Sequence, residues 1–121
     1  MTEEQIALAR RAVACKGWRW MRGMSNDQGQ TIDCVELIPG KAYCGEWDAD
    51  MTALPDLTDP ATLGCLLALV REAWGDPQAF VGWFDPHWKV IRCRTESLLG
   101  CLAGRGAIEA EALVAALEDA P

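Results

Sequence analysis

Apolar and polar positions along this chain follow two periods, and the clearest block is helical. Leu63, Leu66, Leu67, Val70 and Trp74 recur at the three- and four-residue spacing of one helix face. Asp59 supplies an N-cap, and Pro60 sits at the first helical position, where its missing N–H costs nothing. Gly75 ahead of Asp76-Pro77 closes the element. A second helix is predicted over residues 3–15, opened by a capping box of Thr2 and Gln5. Its stripe is Ile6, Ala9 and Val13, with Leu8, Ala12 and Cys15 beside it, and Lys16-Gly17 ends it. A third covers residues 108–118, rich in alanine and acidic in its first turn, as the helix macrodipole favours.

The intervening segments carry the shorter period. Trp18-Arg19-Trp20-Met21-Arg22 alternates as a strand does, with both rings on one face. Asn26-Asp27-Gln28-Gly29 is turn chemistry. Residues 31–38 read as a second strand, and Pro39-Gly40 as a turn into a third over 42–47, which together make an antiparallel meander. Residues 48–59 read as a polar, acidic loop. Beyond the central helix, residues 79–84 and 88–94 form two more strands around Asp85-Pro86-His87. A further helix can begin at 97–103, although Gly100, Gly104 and Gly106 weaken it. The predicted fold class is α+β: a small antiparallel sheet of about five strands flanked by two to four helices in a single layer-packed domain.

Bulk composition narrows the setting. Half of the 121 residues are apolar, enough for one packed core. No apolar run reaches the roughly 20 residues that cross a bilayer. The first residues are acidic and lead into no signal-type core, so a cytoplasmic protein without membrane contact is expected. A formal charge of −7 argues against direct binding to duplex nucleic acid. The charge is segregated, however: acidic residues gather in 46–59 and the last dozen positions, basic ones in 10–22 and 89–94. A reducing cytoplasm keeps the six cysteines free, and Cys15 and Cys65 fall on apolar helix faces. Neither Cys34 with Cys44 nor Cys93 with Cys101 and His87 has the spacing of a zinc site. No metal and no cofactor is expected.

Candidate chemistry is sparse. The single histidine, His87, lies in a Pro-containing turn, and a pairing with Cys93 shows neither a depressed thiol pKa nor a pocket in the sequence. The glycines of 100–106 match no phosphate-loop spacing, and loop flexibility accounts for them. The chain therefore reads as a binding protein rather than an enzyme. Of six tryptophans, Trp74 and Trp83 read as core. Trp18, Trp20 and Trp88 are interleaved with arginine and lysine. With Arg92 and Arg94 they make a candidate nucleotide site, in which rings stack bases and cations hold phosphates. The ordinary alternative is a set of solvated edge residues. Glu46, Asp48, Asp50 and Asp56 form a second candidate, a negative face offered to a basic partner, against the alternative of a solvated loop.

The run 54–75, the closing 110–121 and the opening Arg10-Arg11-Ala12-Val13-Ala14-Cys15-Lys16-Gly17-Trp18-Arg19-Trp20-Met21 together resemble small phage and prophage proteins related to the phage ABA-sandwich domain. The stretch 95–108 is longer and richer in glycine than that group's pattern. The resemblance implies helices flanking a small sheet and a phage or prophage setting, and it brings no activity. In that setting the leading expectation is an anti-defence inhibitor of anti-CRISPR type, binding a host defence protein. The alternatives are a sponge for a nucleotide immune signal and a structural or regulatory phage protein. Self-association is compatible with all three.

Overall fold

The computed structural model describes residues 1–32, 53–92 and 102–121, together with three short strand segments between them. The elements in chain order are α1 (Glu3–Ala14), β1 (Cys34–Val35), β2 (Ala42–Cys44), β3 (Trp47–Asp48), α2 (Pro60–Trp74), β4 (Phe80–Phe84), β5 (His87–Ile91), β6 (Leu102–Gly106) and α3 (Glu109–Glu118). The class is α+β, as the periodicities predict. Among the described residues the strands do not form one sheet of about five. They form two antiparallel sheets of three, ordered β1-β2-β3 and β4-β5-β6.

The helix signals act where the sequence places them. Thr2 accepts from the Gln5 N–H while the Gln5 side chain accepts from the Thr2 N–H, closing the capping box of α1. Asp59 caps α2 through the Thr62 N–H, and Gly75 ends it in the left-handed conformation that glycine adopts without strain. The α2 cap also reaches outside its own helix. The buried Thr62 hydroxyl donates to Asp59 at 2.9 Å and accepts from the Ser25 N–H at 2.9 Å, tying the 24–32 turn to the start of α2. Thr62→Val keeps the shape but leaves that Ser25 donor unsatisfied. The expected cost is about 1–3 kcal/mol, read by urea denaturation.

The centre of the fold is α3. Ala110, Ala112, Leu113, Val114, Ala116 and Leu117 are all buried, so the helix is covered on most of its circumference. It packs against α1 and α2 and against one face of the β4-β5-β6 sheet. The seat on the sheet is made by glycine. A Cβ on Gly104 would stand 2.5 Å from both the Ala112 carbonyl oxygen and the Ala116 nitrogen, and one on Gly106 would meet Glu111 at 2.6 Å. Leu66, Leu69 and Val70 of α2, Leu8, Ala9 and Ala12 of α1, and Val90 of β5 complete the core with Met24 and Ile32. The Trp74 indole N–H donates to the Ala116 carbonyl at 2.8 Å, and Arg11 makes a two-point ion pair with Glu118.

Several strand expectations change. The Trp18–Trp20 stretch is not a strand: its alternation serves two rings that meet edge to face at 5.6 Å and pack on the core. The segment expected as one strand over 42–47 is divided into β2 and β3, which pair with each other. Of the strand expected over 31–38, Thr31 bridges to Ser25 and Cys34–Val35 forms β1, while residues 36–38 lie outside the described residues. The end of the supposed acidic loop is packed: Ala53 and Leu57 are buried and Pro55 bridges to Asn26. Gly104 and Gly106 belong to strand β6 and not to a flexible loop or a weak helix, because α3 needs their missing side chains. Residues 97–101 lie outside the described residues.

Candidate functional site

The β4-β5 hairpin turns at Asp85-Pro86, and its register follows directly: Phe84 faces His87, Trp83 faces Trp88, Gly82 faces Lys89, Val81 faces Val90 and Phe80 faces Ile91. On the other side of β5, Lys89 faces Arg105, and a bulge shifts the register so that Leu102 stands opposite Ile91. Residues paired across a ladder share a sheet face. One face therefore carries Val81, Trp83, Trp88, Val90, Gly104 and Gly106, and α3 packs on it. The opposite face carries three rows across the sheet: Phe80, Ile91 and Leu102; then Gly82, Lys89 and Arg105; then Phe84 and His87.

Among the described residues, nothing packs on that second face as α3 packs on the first. Phe80 and Phe84 are each 40 % exposed and Leu102 is 46 % exposed, while Ile91, Lys89 and His87 are half-buried and Arg105 is exposed. The two phenylalanines are four residues apart on an extended strand, yet their ring centroids lie only 6.4 Å apart. Gly82 between them permits this. The Phe84 ring leans over it, with Cε2 3.3 Å from where a Cβ would stand. The result is one continuous aromatic patch beside a row of two cations. No Asp or Glu occurs in any of the three strands.

The residues singled out from the sequence lie elsewhere. Trp18 and Trp20 are half-buried against the core, and Arg19 between them pairs with Glu72 at 2.6 Å. Trp88 meets Trp83 edge to face at 6.0 Å on the face that receives α3. Arg92 places its guanidinium 4.6 Å from the centre of the Trp74 ring. The described rings thus fall into separate pairs instead of lining one pocket, and Arg94 lies outside the described residues. Because Arg92 is committed to Trp74, Arg92→Ala is expected to lower stability by about 0.5–1 kcal/mol in denaturant melts and to leave ligand capture unchanged. Trp83, expected in the core, is 53 % exposed. It sits on an edge strand, while α3 seats most closely over β6 at the other edge.

Of the acidic set, Asp48 belongs to β3, and Glu46 and Asp50 lie outside the described residues. The Asp56 carboxylate is half-buried and accepts from the Thr58 N–H at 3.0 Å and its hydroxyl at 2.5 Å, so it stabilises a local turn. The Cys15 and Cys65 thiols are pushed above their ordinary pKa by burial first, and neither is a thiolate near neutral pH. His87 stands in β5 opposite Phe84, not in the turn itself. Among the described residues, no group of three His, Cys, Asp or Glu side chains can hold a metal ion, and no helix is long and apolar enough to cross a membrane. A cavity of about 240 Å³ between the end of α1 and the C-terminus is lined by Cys15, Lys16, Ala73, Leu117 and Glu118, with no built set of polar groups converging on it.

Comparison of the chain with protein-family models, with curated proteins and with solved structures finds no match to any of them.

Proposed function

We propose that this chain acts by binding rather than by turnover, and that its contact surface is the open face of the β4-β5-β6 sheet. The observation that carries the reading is the pairing of two solvent-exposed phenylalanines, held together over Gly82, with the Lys89–Arg105 row. Large apolar groups gathered on one exposed face mark an interaction site more often than scattered ones do. Phe80 and Phe84 meet outside the buried core, where their outer faces remain available to a partner.

The phage or prophage setting rests on the resemblance of residues 10–21, 54–75 and 110–121, and within it the role is that of an accessory protein that interferes with host defence. The acidic set supports an inhibitory contact less well, since its one fully described member, Asp56, is engaged with Thr58. The test is native mass spectrometry of the protein purified gently from host cells, beside the Phe80→Ser/Phe84→Ser variant. Wild type carries an added mass that denaturation releases, and the variant emerges bare. The same added mass on both proteins removes this face from consideration.

A further inference from the structure

We infer that the occupant of this face is single-stranded nucleic acid, with bases stacked on Phe80 and Phe84 and phosphates held by Lys89 and Arg105; the assignment rests on the binding face proposed above. The chemistry of the face selects the class. Exposed phenyl rings take any base by its π face, and adjacent cations follow the phosphate backbone, which together are the two requirements of sequence-tolerant single-strand binding. The face is also locally positive in a chain that is acidic as a whole. The whole protein carries −7, whereas the three strands carry Lys89 and Arg105 and no carboxylate.

The same charges count against the other occupants. Two copies of this chain packed face to face about a twofold axis would bring their Lys89–Arg105 rows together, and like charges repel. A duplex keeps its base faces stacked inside and leaves the two rings without a partner, while its phosphates meet the acidic remainder of the protein. An acidic peptide answers the cations through its carboxylates, but it engages the rings only where it also carries aromatic or apolar side chains of its own. A single strand satisfies both groups at once.

The test is fluorescence anisotropy at low salt with a short labelled oligothymidylate. An oligouridylate of equal length separates DNA from RNA preference, and the annealed duplex and polyglutamate serve as competitors. Wild type is expected to bind the strand, with the duplex and polyglutamate competing poorly. Phe80→Ala and Phe84→Ala each weaken binding by at least about fivefold, the loss expected for one stacked base. Two phosphate contacts give a slope of about −1.4 in log affinity against log salt, and Lys89→Gln/Arg105→Gln flattens it. Trp83→Ala, on the opposite face, leaves affinity unchanged. The assignment is overturned by absent strand binding, by duplex competing as well as strand, by polyglutamate displacing it, or by affinity indifferent to Phe84. If the oligonucleotides fail while the Phe80→Ser/Phe84→Ser change still strips an added mass from protein made in host cells, the nucleic-acid assignment falls alone. If that change strips nothing, the binding face falls with it.

Discussion

Gly104→Ala is expected to be the most damaging small substitution in the chain, lowering stability by about 3 kcal/mol and the melting temperature by about 10 °C. The added methyl group would stand 2.5 Å from the Ala112 carbonyl oxygen and from the Ala116 nitrogen, and 2.9 Å from the Ala116 Cα. All three are backbone atoms of a helix, so no side-chain rotation relieves the clash. Either α3 lifts from the sheet or β6 moves away, and both uncover the Ala112, Leu113 and Ala116 contacts at the middle of the core. Gly64→Ala provides the contrast. Gly64 is exposed within α2 and a Cβ there meets nothing within 4 Å, so alanine should raise stability by about 0.5–1 kcal/mol through helix propensity. Thermal melts of the two variants beside wild type check both signs. A neutral Gly104→Ala would contradict the close seat of α3 on β6.

The second large effect is on binding with little effect on folding. Phe80→Ser/Phe84→Ser removes two rings that lie outside the buried core, so stability should fall by only about 1–2 kcal/mol and the variant should remain folded. Captured ligand should be lost altogether. Gly82→Val is a subtler version of the same experiment, because its side chain would occupy the space over which the Phe84 ring leans and drive the two rings apart. Binding should weaken while both phenylalanines remain. A β-branched residue also suits a strand, so the fold has no reason to fail. If Gly82→Val binds as wild type does, the joined geometry of the rings is irrelevant to the contact.

Much of this fold was legible from local chemistry. The capping box at Thr2, the Asp59-Pro60 start and the Gly75 stop are short-range signals that act through the backbone groups nearest to them, and the helix ends follow them. The β4-β5 hairpin was legible for the same reason, since two apolar runs flank Asp85-Pro86-His87, although His87 joins the second strand and leaves a two-residue turn. What could not be read were arrangements decided by a distant partner. Leu102-Ala103-Gly104-Arg105-Gly106 has the composition of a loop, and it becomes a strand because α3, several residues later, requires a surface without side chains. Trp18-Arg19-Trp20 has the alternation of a strand, but its rings pair with each other and pack on the core.

The binding face was hidden by the same gap. Phe80, Gly82 and Phe84 alternate with Val81 and Trp83, so the sequence does say that they share a side of their strand. Which side faces solvent depends on where α3 lies, and the neighbouring Arg105 enters the face only once β6 is recognised as a strand. Tryptophan interleaved with arginine is a pattern contiguous in sequence, and so the more visible one along the chain. The structure spends those rings on edge-to-face pairs and Arg92 on the Trp74 ring, and it exposes two phenylalanines instead.

The most direct test of the account is hydroxyl-radical footprinting of the gently purified protein with its captured material, compared with the same protein after that material is stripped. Protection confined to Phe80, Phe84 and Leu102 is the predicted result. Unchanged labelling of those three, with protection appearing instead at Trp18 and Trp20, would contradict it and move the contact to that ring pair.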